Sequence, residues 1–350
     1  SCRLHKQKFM KQLILNRNEI VQGPPPKVLE ALRNFKLEHA NFYLDDYYHS
    51  ILIPKISEIF GISEEQVIIS YGEEDFFRTI FDELDAKKDS VLTHQFHYTY
   101  YKKYLDFKEI HLHTFGMEEK NGSFVFDIED CVRQYQKTNP KILLLTSSNN
   151  PTGNSLSVEE LEKLLKNITV ETLVVVDEAY WGFDEQYNQQ AFLSLLSKYP
   201  NLVFLRSFSK LYALAGLRIG FALCGVNVKN LLKYQNRYLG LSRILEEVAI
   251  VALESVDYYK KLSVEIIGDR ESFINEVRNF KNFQPFSSKA NFVLLRIANN
   301  AVAERLRGAL QKEEVVVSKF VDENFLRVSV GEKELTGKFL KLLKEIDRMD

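Results

Sequence analysis

Between about Lys141 and Cys224 the sequence alternates short apolar runs, polar turns and amphipathic segments. Ile142–Thr146 and Leu173–Asp177 are apolar runs of strand length, and the amphipathic segment Ser157–Lys166 lies between them. Ser157 and Glu160 have the spacing of a capping box, which predicts that this segment is a helix. A strand, a helix and a second strand in this order are typical of a βαβ unit, so the pattern predicts an α/β fold with a mostly parallel sheet.

Further apolar runs extend this sheet to about seven strands, and a second pattern follows it along the chain. The other predicted strands of the sheet are Val67–Ser70, Ser90–Thr93, Asn201–Arg206 and Ile219–Leu223. After Leu231 long helical stretches precede two more strands, Asn291–Arg296 and Leu326–Val330. We therefore expect three parts: a large domain over residues 41–240, a connecting helix with a smaller α+β domain over 241–350, and an N-terminal segment, 1–40, packing with the smaller domain.

Composition limits the classes of partner. The 350 residues carry 46 Lys and Arg against 48 Asp and Glu, so no basic surplus exists for nucleic acid, and a small-molecule partner is favoured. The apolar runs are far shorter than the roughly 18 residues of a membrane span, and we expect no membrane contact and no secretory signal. Cys2, Cys131 and Cys224 are isolated from one another, form no metal-binding cluster, and favour a reducing cytoplasm.

Four polar segments adjoin the predicted strands, at the edge where an open α/β sheet places its ligand site. They are Asn149–Gly153, Asp177–Tyr180, Ser207–Lys210 and Gly216–Arg218. Taken singly each has an ordinary interpretation, since Asn150–Gly153 is typical of a turn, Asp177 of a strand-end cap and Lys210 of a solvated lysine. Their order is more informative, because Asp177 follows Asn150 by 27 residues and Lys210 follows Asp177 by 33.

With this order and spacing, the segments resemble those of the fold-type I, pyridoxal-phosphate-dependent class I and II aminotransferases. The resemblance implies that Lys210 forms a Schiff base with the cofactor aldehyde and that Asp177 keeps the pyridine nitrogen protonated. It also implies that Asn150 and Tyr180 hold the phenolic oxygen of the ring. Lys210, Asp177 and Tyr180 are thereby predicted to be catalytic.

The resemblance also implies a phosphate site. Ser207, Ser209 and Arg218 match the family's phosphate contacts, and Gly72 with the following Glu73 and Glu74 matches a glycine turn whose backbone N–H groups bind the same phosphate. Glu73 departs from the family, in which this residue is small, and a carboxylate there repels phosphate unless it points to solvent. The alternative interpretation of Glu73 and Glu74 is an exposed acidic pair at a helix N-terminus.

Two aromatic residues complete the expected cofactor site. Tyr98 matches the aromatic residue that stacks on the pyridine ring, although a slip of one or two residues would place Phe96 or Tyr100 there instead. Tyr43 matches the tyrosine that, in this family, reaches the cofactor phosphate of the neighbouring subunit. The resemblance therefore implies a homodimer.

Across nearly the whole chain the sequence looks most like the histidinol-phosphate aminotransferase branch. The resemblance is carried by Asn16–Glu19, Gly23–Pro25, Leu214–Arg218 and Phe325–Gly331. It implies that Arg327 binds an anionic end of the substrate, the alternative being a surface arginine. Gln22 and Ser318 replace a substrate-binding tyrosine and arginine of that branch. Gln22, Asn150 and Arg327 are the predicted substrate-binding residues.

These implications predict an aminotransferase that moves an amino group from a donor such as glutamate to a small keto acceptor. The acceptor is either imidazole acetol phosphate or a smaller phosphorylated ketone of the dihydroxyacetone phosphate type. A decarboxylase of the threonine-phosphate type would use the same cofactor residues. A non-catalytic ligand sensor on the same fold is a third possibility, which the presence of Lys210 disfavours.

Overall fold

The computed structural model of the protein describes residues 13–36, 49–232, 240–318 and 324–349. The predicted inter-subunit residue Tyr43 lies outside these ranges. The described strands are β1 (Leu13–Leu15), β2 (Val67–Ser70), β3 (Ser90–His94), β4 (His111–Phe115), β5 (Met117–Lys120), β6 (Ser123–Phe126), β7 (Ile142–Thr146), β8 (Leu173–Asp177), β9 (Leu202–Ser207), β10 (Gly220–Cys224), β11 (Phe283–Pro285), β12 (Phe292–Ile297), β13 (Val315–Val317) and β14 (Phe325–Ser329).

The helices alternate with the strands in the first two thirds of the chain and are longest near its end. Within the described residues they are α1 (Pro26–Asn34), α2 (Leu52–Phe60), α3 (Glu73–Asp82), α4 (Thr99–Phe107), α5 (Ile128–Thr138), α6 (Val158–Leu165), α7 (Gln189–Lys198), α8 (Val228–Leu231), α9 (Arg243–Glu254), α10 (Val256–Val277), α11 (Asn300–Lys312) and α12 (Lys333–Asp347). In the part of the chain that the structure describes, no helix combines the length and apolarity needed to cross a bilayer.

The central sheet has seven strands in the order β2-β10-β9-β8-β7-β3-β4. All are parallel except β10, which runs antiparallel to both of its neighbours. Every residue of β7 and β8 is buried, because helices cover both faces of the sheet, and this explains their unbroken apolar sequences. The predicted fold class, with its mostly parallel seven-stranded sheet, is confirmed.

The helix predicted between β7 and β8 is α6, and its first turn is stabilised by side chains close to it in sequence. The Ser157 hydroxyl accepts from the Glu160 amide at 3.1 Å, and the Glu160 carboxylate accepts from the Ser157 amide at 2.8 Å. These two bonds satisfy N–H groups that have no partner within the helix. Leu161, Leu164 and Leu165 bury the opposite face against the sheet.

The C-terminal third builds a second core. An antiparallel sheet, β11-β12-β14, is covered by α10, α11 and α12, and β1 pairs in parallel with β13. Leu13 and Leu15 of β1 belong to this core, so the beginning of the described chain is anchored to its end.

The antiparallel direction of β10 positions the site. Because β10 runs antiparallel to β9, it begins where β9 ends, and Gly220 lies opposite Ser207 in the register. Arg218, which precedes β10, is thereby brought to the edge where β7, β8 and β9 have their carboxyl ends. Apolar periodicity does not encode strand direction, so the sequence pattern did not predict this reversal.

Candidate active site

A cavity of about 590 Å³ opens at the carboxyl edge of the central sheet. Most of the residues predicted from the sequence to form a site line it. These are Glu73, Glu74, Tyr98, Asn150, Asp177, Tyr180, Ser207, Ser209, Lys210, Arg218 and Arg327. The carboxyl ends of parallel strands meet at one edge, and this brings together residues from Glu73 to Arg218, whereas Arg327 joins them from β14 of the smaller sheet.

Lys210 lies in the segment between β9 and β10, and its amine faces the Tyr180 ring, with Nζ 5.5 Å from the ring centroid. Nζ donates a hydrogen bond to the Arg17 carbonyl oxygen at 2.8 Å. Burial, helped by the positive charge of Arg327, lowers the pKa of Lys210 to about 8. A substantial fraction of the amine is therefore neutral and nucleophilic near physiological pH.

Asp177 ends β8 and is buried. Burial raises its pKa to about 6, although two hydrogen bonds to the carboxylate oppose the shift. The Tyr101 hydroxyl donates to Oδ2, and the Ala179 amide donates to Oδ1 at 3.0 Å. Asp177 is thus a buried carboxylate that is ionised at neutral pH and can pair with a cationic ring nitrogen.

Tyr180 is buried, and its hydroxyl accepts a hydrogen bond from Asn18 Nδ2 at 2.9 Å. Burial raises the pKa of Tyr180 to about 12, so the phenol stays protonated and can donate into the cavity. Asn18 is itself held by Ser329, whose hydroxyl accepts from the Asn18 amide at 2.9 Å and donates to its Oδ1 at 2.7 Å. The orientation of Tyr180 is therefore fixed from the smaller sheet.

One end of the cavity is suited to an anion. Glu73 and Glu74 begin α3, so their backbone N–H groups belong to the first turn, where no helical partner exists. Gly72 has φ +74°, and a Cβ there would lie 2.7 Å from Nη2 of Arg218. A glycine is required for the guanidinium to approach this closely. Ser207 and Ser209 line the same cavity.

Glu73 does not form the exposed pair that was one interpretation of the sequence. Its Oε1 atom is out of contact with solvent and has no hydrogen-bond partner among the described residues, and the side chain lines the cavity. Burial and the nearby Asp177 raise the pKa of Glu73 well above its usual range, while Lys210 and Arg218 oppose the shift. Only Glu74 of the two is exposed.

Arg327, on β14, is buried and reaches the cavity from the smaller sheet. Nη1 donates to Asn150 Oδ1 at 2.6 Å, and Nη2 donates to the Asn16 carbonyl oxygen. Its Nε has no hydrogen-bond partner in the described ranges. The alternative interpretation of Arg327 as a surface arginine is wrong.

Within the cluster of tyrosines after β3, the side chains point in different directions. Tyr98 is 44% exposed, lines the cavity and packs edge-on against Tyr101. Tyr100 also lines the cavity, whereas the exposed Phe96 packs against Phe124 away from it. A slip that assigned Phe96 to the site is thus excluded, and Tyr98 is the more accessible of the two tyrosines.

Gln22 is not brought to the cavity. It is exposed, and its side chain donates to the Gly331 carbonyl oxygen at 2.6 Å. The Ser318 hydroxyl donates to the Arg327 carbonyl oxygen at 2.8 Å and so supports the backbone of β14. Neither side chain is among those that line the cavity in the described part of the chain.

Sequence reasoning gave no role to several residues that the structure places here. Tyr101 bonds Asp177, Asn18 bonds Tyr180, and Asn16, Arg17 and Glu19 line the cavity. Tyr101 lies in a run of aromatic residues, and nothing in that run distinguishes the one that turns inward. For Asn16–Glu19 the sequence gives only a family resemblance, because their contacts depend on the tertiary approach of this segment to β14.

These residues fit pyridoxal phosphate on chemical grounds. Lys210 supplies an amine of lowered pKa, Asp177 a buried carboxylate, and Asn150 and Tyr180 supply side chains that can donate hydrogen bonds. Arg218, lying over Gly72, supplies a cation at the free N–H groups of α3. The feature that does not fit at first sight is the buried carboxyl group of Glu73.

Comparison with known proteins agrees with this chemistry. The family model described as aminotransferase class I and II matches residues 10–343. A histidinol-phosphate aminotransferase of Clostridium botulinum is 30% identical over 348 residues, which cover 97% of this chain and 93% of the relative. Histidinol-phosphate aminotransferase from Sinorhizobium meliloti, solved in complex with pyridoxal-5'-phosphate, superposes with a TM-score of 0.82 at 22% identity, covering 96% of this chain and 90% of that one. L-threonine-O-3-phosphate decarboxylase from Porphyromonas gingivalis has a TM-score of 0.76 at 18% identity, covering 95% and 98%.

Proposed function

This chain belongs to the class I and II aminotransferases, which depend on pyridoxal phosphate, and we propose that it transfers an amino group from glutamate to a small phosphorylated ketone. The observation that carries the proposal is Arg327, a buried guanidinium in the cavity that also contains Lys210. A buried cation with an N–H group left without a partner favours an anionic ligand, because that group is otherwise desolvated at a cost.

The position of Arg327 also suits the two substrates in turn. Its bond to Asn150 and its bond to the Asn16 carbonyl hold the guanidinium plane in place. A planar, pre-oriented fork binds carboxylate or phosphate oxygens in pairs. The same group can therefore receive the carboxylate of glutamate and then the anionic end of the acceptor.

The acceptor is proposed to be imidazole acetol phosphate or a smaller ketone such as dihydroxyacetone phosphate. Similarity to histidinol-phosphate aminotransferases supports the first, since the relative spans nearly the whole chain. Gln22 supports the second, because it replaces a substrate-binding tyrosine of that branch and bonds Gly331 instead of facing the cavity. A shorter acceptor needs no side-chain contact at that position.

Lys210 is the proposed acid and base. Bound pyridoxal phosphate supplies an aldehyde that captures an amine and a ring that withdraws electrons from the adjacent carbon. With a pKa of about 8, the Lys210 amine would be able to accept the proton from the Cα of the donor and to give a proton back later in the reaction. Asp177, which is ionised above about pH 6, would keep the ring nitrogen protonated, and Tyr180 and Asn150 would hold the ring oxygen.

The amino donor and the keto acceptor can be tested in two separate half-reactions, each followed by the absorbance of the cofactor. The loaded enzyme is mixed with L-glutamate alone, and we expect the cofactor absorbance to change from the aldehyde form to the amine form. Each ketone is then added, and return of the aldehyde absorbance identifies the acceptor. Dihydroxyacetone serves as the unphosphorylated control for dihydroxyacetone phosphate. If no amino donor changes the spectrum of the loaded enzyme, amino transfer as proposed is wrong.

A threonine-phosphate-type decarboxylase is the second candidate, favoured by the likeness in fold to the Porphyromonas gingivalis enzyme. Release of carbon dioxide from threonine phosphate without any keto acceptor would identify it. The same reaction mixture contains no amino acceptor, so a transaminase would stop after one turnover.

The proposal includes a homodimer in which Tyr43 reaches the cofactor phosphate of the partner. A mixture of Lys210→Ala and Tyr43→Phe chains tests this, because one of the two sites in a mixed dimer would have both intact residues. Recovered activity supports a shared site, and its absence in a dimer shown to be mixed contradicts it.

We also propose a cytoplasmic location, which the free thiols of the buried Cys131 and Cys224 support.

A further inference from the structure

Glu73 lines the cavity, and its own backbone N–H lies at the end that is suited to an anion, beside Gly72 and Arg218. Its Oε1 is buried and has no hydrogen-bond partner in the described residues. An ionised carboxylate with no partner is costly when desolvated, whereas a neutral carboxylic acid costs less and carries one hydrogen to donate.

The backbone at Glu73 is tightly packed on both sides, so the chain cannot easily shift to move this side chain out of the cavity. Gly220, at the start of β10, lies so close that a Cβ there would be 3.1 Å from the Glu73 nitrogen and 2.9 Å from the Gly72 carbonyl carbon. On the other side, the guanidinium of Arg218 lies directly against Gly72. The peptide that carries Glu73 is thus held between the central sheet and the cation.

Charged and titratable groups face Glu73 from every neighbouring element. Asp177 acts from β8, Lys210 from the segment after β9 and Arg218 from the segment before β10. Three tyrosines also interact electrostatically with Glu73: Tyr98 and Tyr101 at the start of α4, and Tyr180 in the segment after β8. The two cations favour the carboxylate, but burial and Asp177 outweigh them. A phosphate dianion at Arg218 would add further negative charge beside Glu73 and favour the neutral acid still more.

We propose that Glu73 is a proton-linked ligand of the cofactor phosphate. The neutral carboxyl group donates a hydrogen bond to a phosphate oxygen, and the ionised carboxylate opposes binding. At a pH above the pKa that Glu73 has in the free protein, loading of the enzyme then takes a proton from solvent onto Glu73, and unloading returns it. The role goes beyond amino transfer, since it concerns how tightly this chain holds its cofactor at a given pH.

The sign of the pH dependence follows from linkage. A group that is more protonated in the bound state makes binding strongest below its pKa in the free protein and weaker as the pH rises through that value. The contribution of Glu73 to the affinity for pyridoxal phosphate should therefore fall as the pH rises through the pKa that Glu73 has in the free protein. Replacing Glu73 with glutamine, which donates a hydrogen bond at any pH, should abolish this fall.

The experiment measures dissociation constants for pyridoxal phosphate and for pyridoxal, which lacks the phosphate, by absorbance at pH 6.5 and 8.5. At pH 8.5 we expect Glu73→Gln to bind pyridoxal phosphate at least about tenfold more tightly than the original chain, and at pH 6.5 the difference should shrink severalfold. For pyridoxal, the dissociation constants of the original chain and of Glu73→Gln should agree within about twofold, since pyridoxal has no phosphate charge for Glu73 to oppose. Glu159→Gln, which changes an exposed carboxylate in the first turn of α6 and outside the cavity lining, is the control and should leave both ratios near one.

Comparing pyridoxal phosphate with pyridoxal separates a direct effect of Glu73 on the phosphate from an indirect effect through Lys210. The charge of Glu73 raises the pKa of Lys210, so its removal also frees amine, but this change affects both ligands equally. Equal ratios for pyridoxal and its phosphate would overturn the proposal, and so would a ratio for the phosphate that does not change with pH. Circular dichroism and the melting temperature establish that each variant is folded. None of these readings involves turnover, so they stand whether or not the proposed donor and acceptor are correct.

Discussion

Tyr101 donates a hydrogen bond to Oδ2 of Asp177, and both side chains are buried. The bond joins the first turn of α4 to the end of β8 across 76 positions of sequence. Burial and the nearby carboxylate raise the pKa of Tyr101 well above its usual range, so the tyrosine remains a donor throughout the working pH range. Its hydrogen bond in turn limits how far burial raises the pKa of Asp177.

Removing this donor should narrow the pH range of the enzyme. We expect amino transfer to decline as the pH falls through about 6, because Asp177 then becomes protonated. In Tyr101→Phe the pKa of Asp177 rises, and the acidic limb of the pH-rate profile moves to higher pH. Tyr104→Phe, which removes a hydroxyl that bonds Asp82 at the surface, is the control. An unchanged acidic limb in Tyr101→Phe would contradict the assignment.

Capture of the cofactor should depend on the protonation of Lys210. The rate at which the cofactor-free protein binds pyridoxal should rise with pH through about 8, as the amine loses its proton. Arg327→Met removes a positive charge that lowers this pKa, so the midpoint should move to higher pH. Stopped-flow absorbance measures both midpoints. Lys210→Arg should show no capture while keeping its fold, and capture by this variant would show that another amine reacts.

Gly61 and Gly72 both have positive φ, but ψ is 36° at Gly61 and 172° at Gly72, and the second combination is one that essentially only glycine adopts. Gly61 has φ +66° and open space where a Cβ would be, whereas Gly72 has φ +74° and Arg218 at 2.7 Å. Gly61→Ala should cost about 1–2 kcal/mol of stability and leave cofactor affinity unchanged. Gly72→Ala should lose more stability than Gly61→Ala and, in addition, bind pyridoxal phosphate about tenfold more weakly, because Arg218 is displaced.

Thermal unfolding measures the first quantity and cofactor titration the second. Retention of full affinity in Gly72→Ala would show that Arg218 does not need to lie against this glycine.

If Arg327 binds the substrate as proposed, replacing its guanidinium should weaken substrate binding more than it destabilises the fold. Arg327→Lys keeps the charge but loses the fork that bonds Asn150 and the Asn16 carbonyl. We expect KM for the acceptor to rise about tenfold or more, since a charged hydrogen bond contributes roughly 1.5–3 kcal/mol. Arg296→Lys, at a surface pair with Glu119, is the matched control. Equal effects of the two changes would remove Arg327 from the proposed substrate site.

Local sequence determined the elements and the order of the chemical groups. The unbroken apolar runs of β7 and β8 and the capping box of α6 predicted a βαβ unit, because burial and N-terminal capping act over a few residues. Each polar segment adjoins a strand, so the sequence alone indicated that Asp177 and Lys210 belong to one edge of the sheet. A residue's position relative to the end of its strand assigns it to an edge of the sheet, whatever the direction of its side chain.

Only the tertiary structure decided the strand reversal and the directions of individual side chains. The antiparallel course of β10 brings Arg218 to Gly72, and the approach of β14 brings Arg327 to Asn150 across 177 positions. Glu73 points into the cavity while Gln22 points away from it. Periodicity records whether a position is buried, but not which distant group it meets once buried. That choice depends on packing between elements, and in this protein it places the side chain of Glu73 in the cavity while the neighbouring Glu74 is exposed.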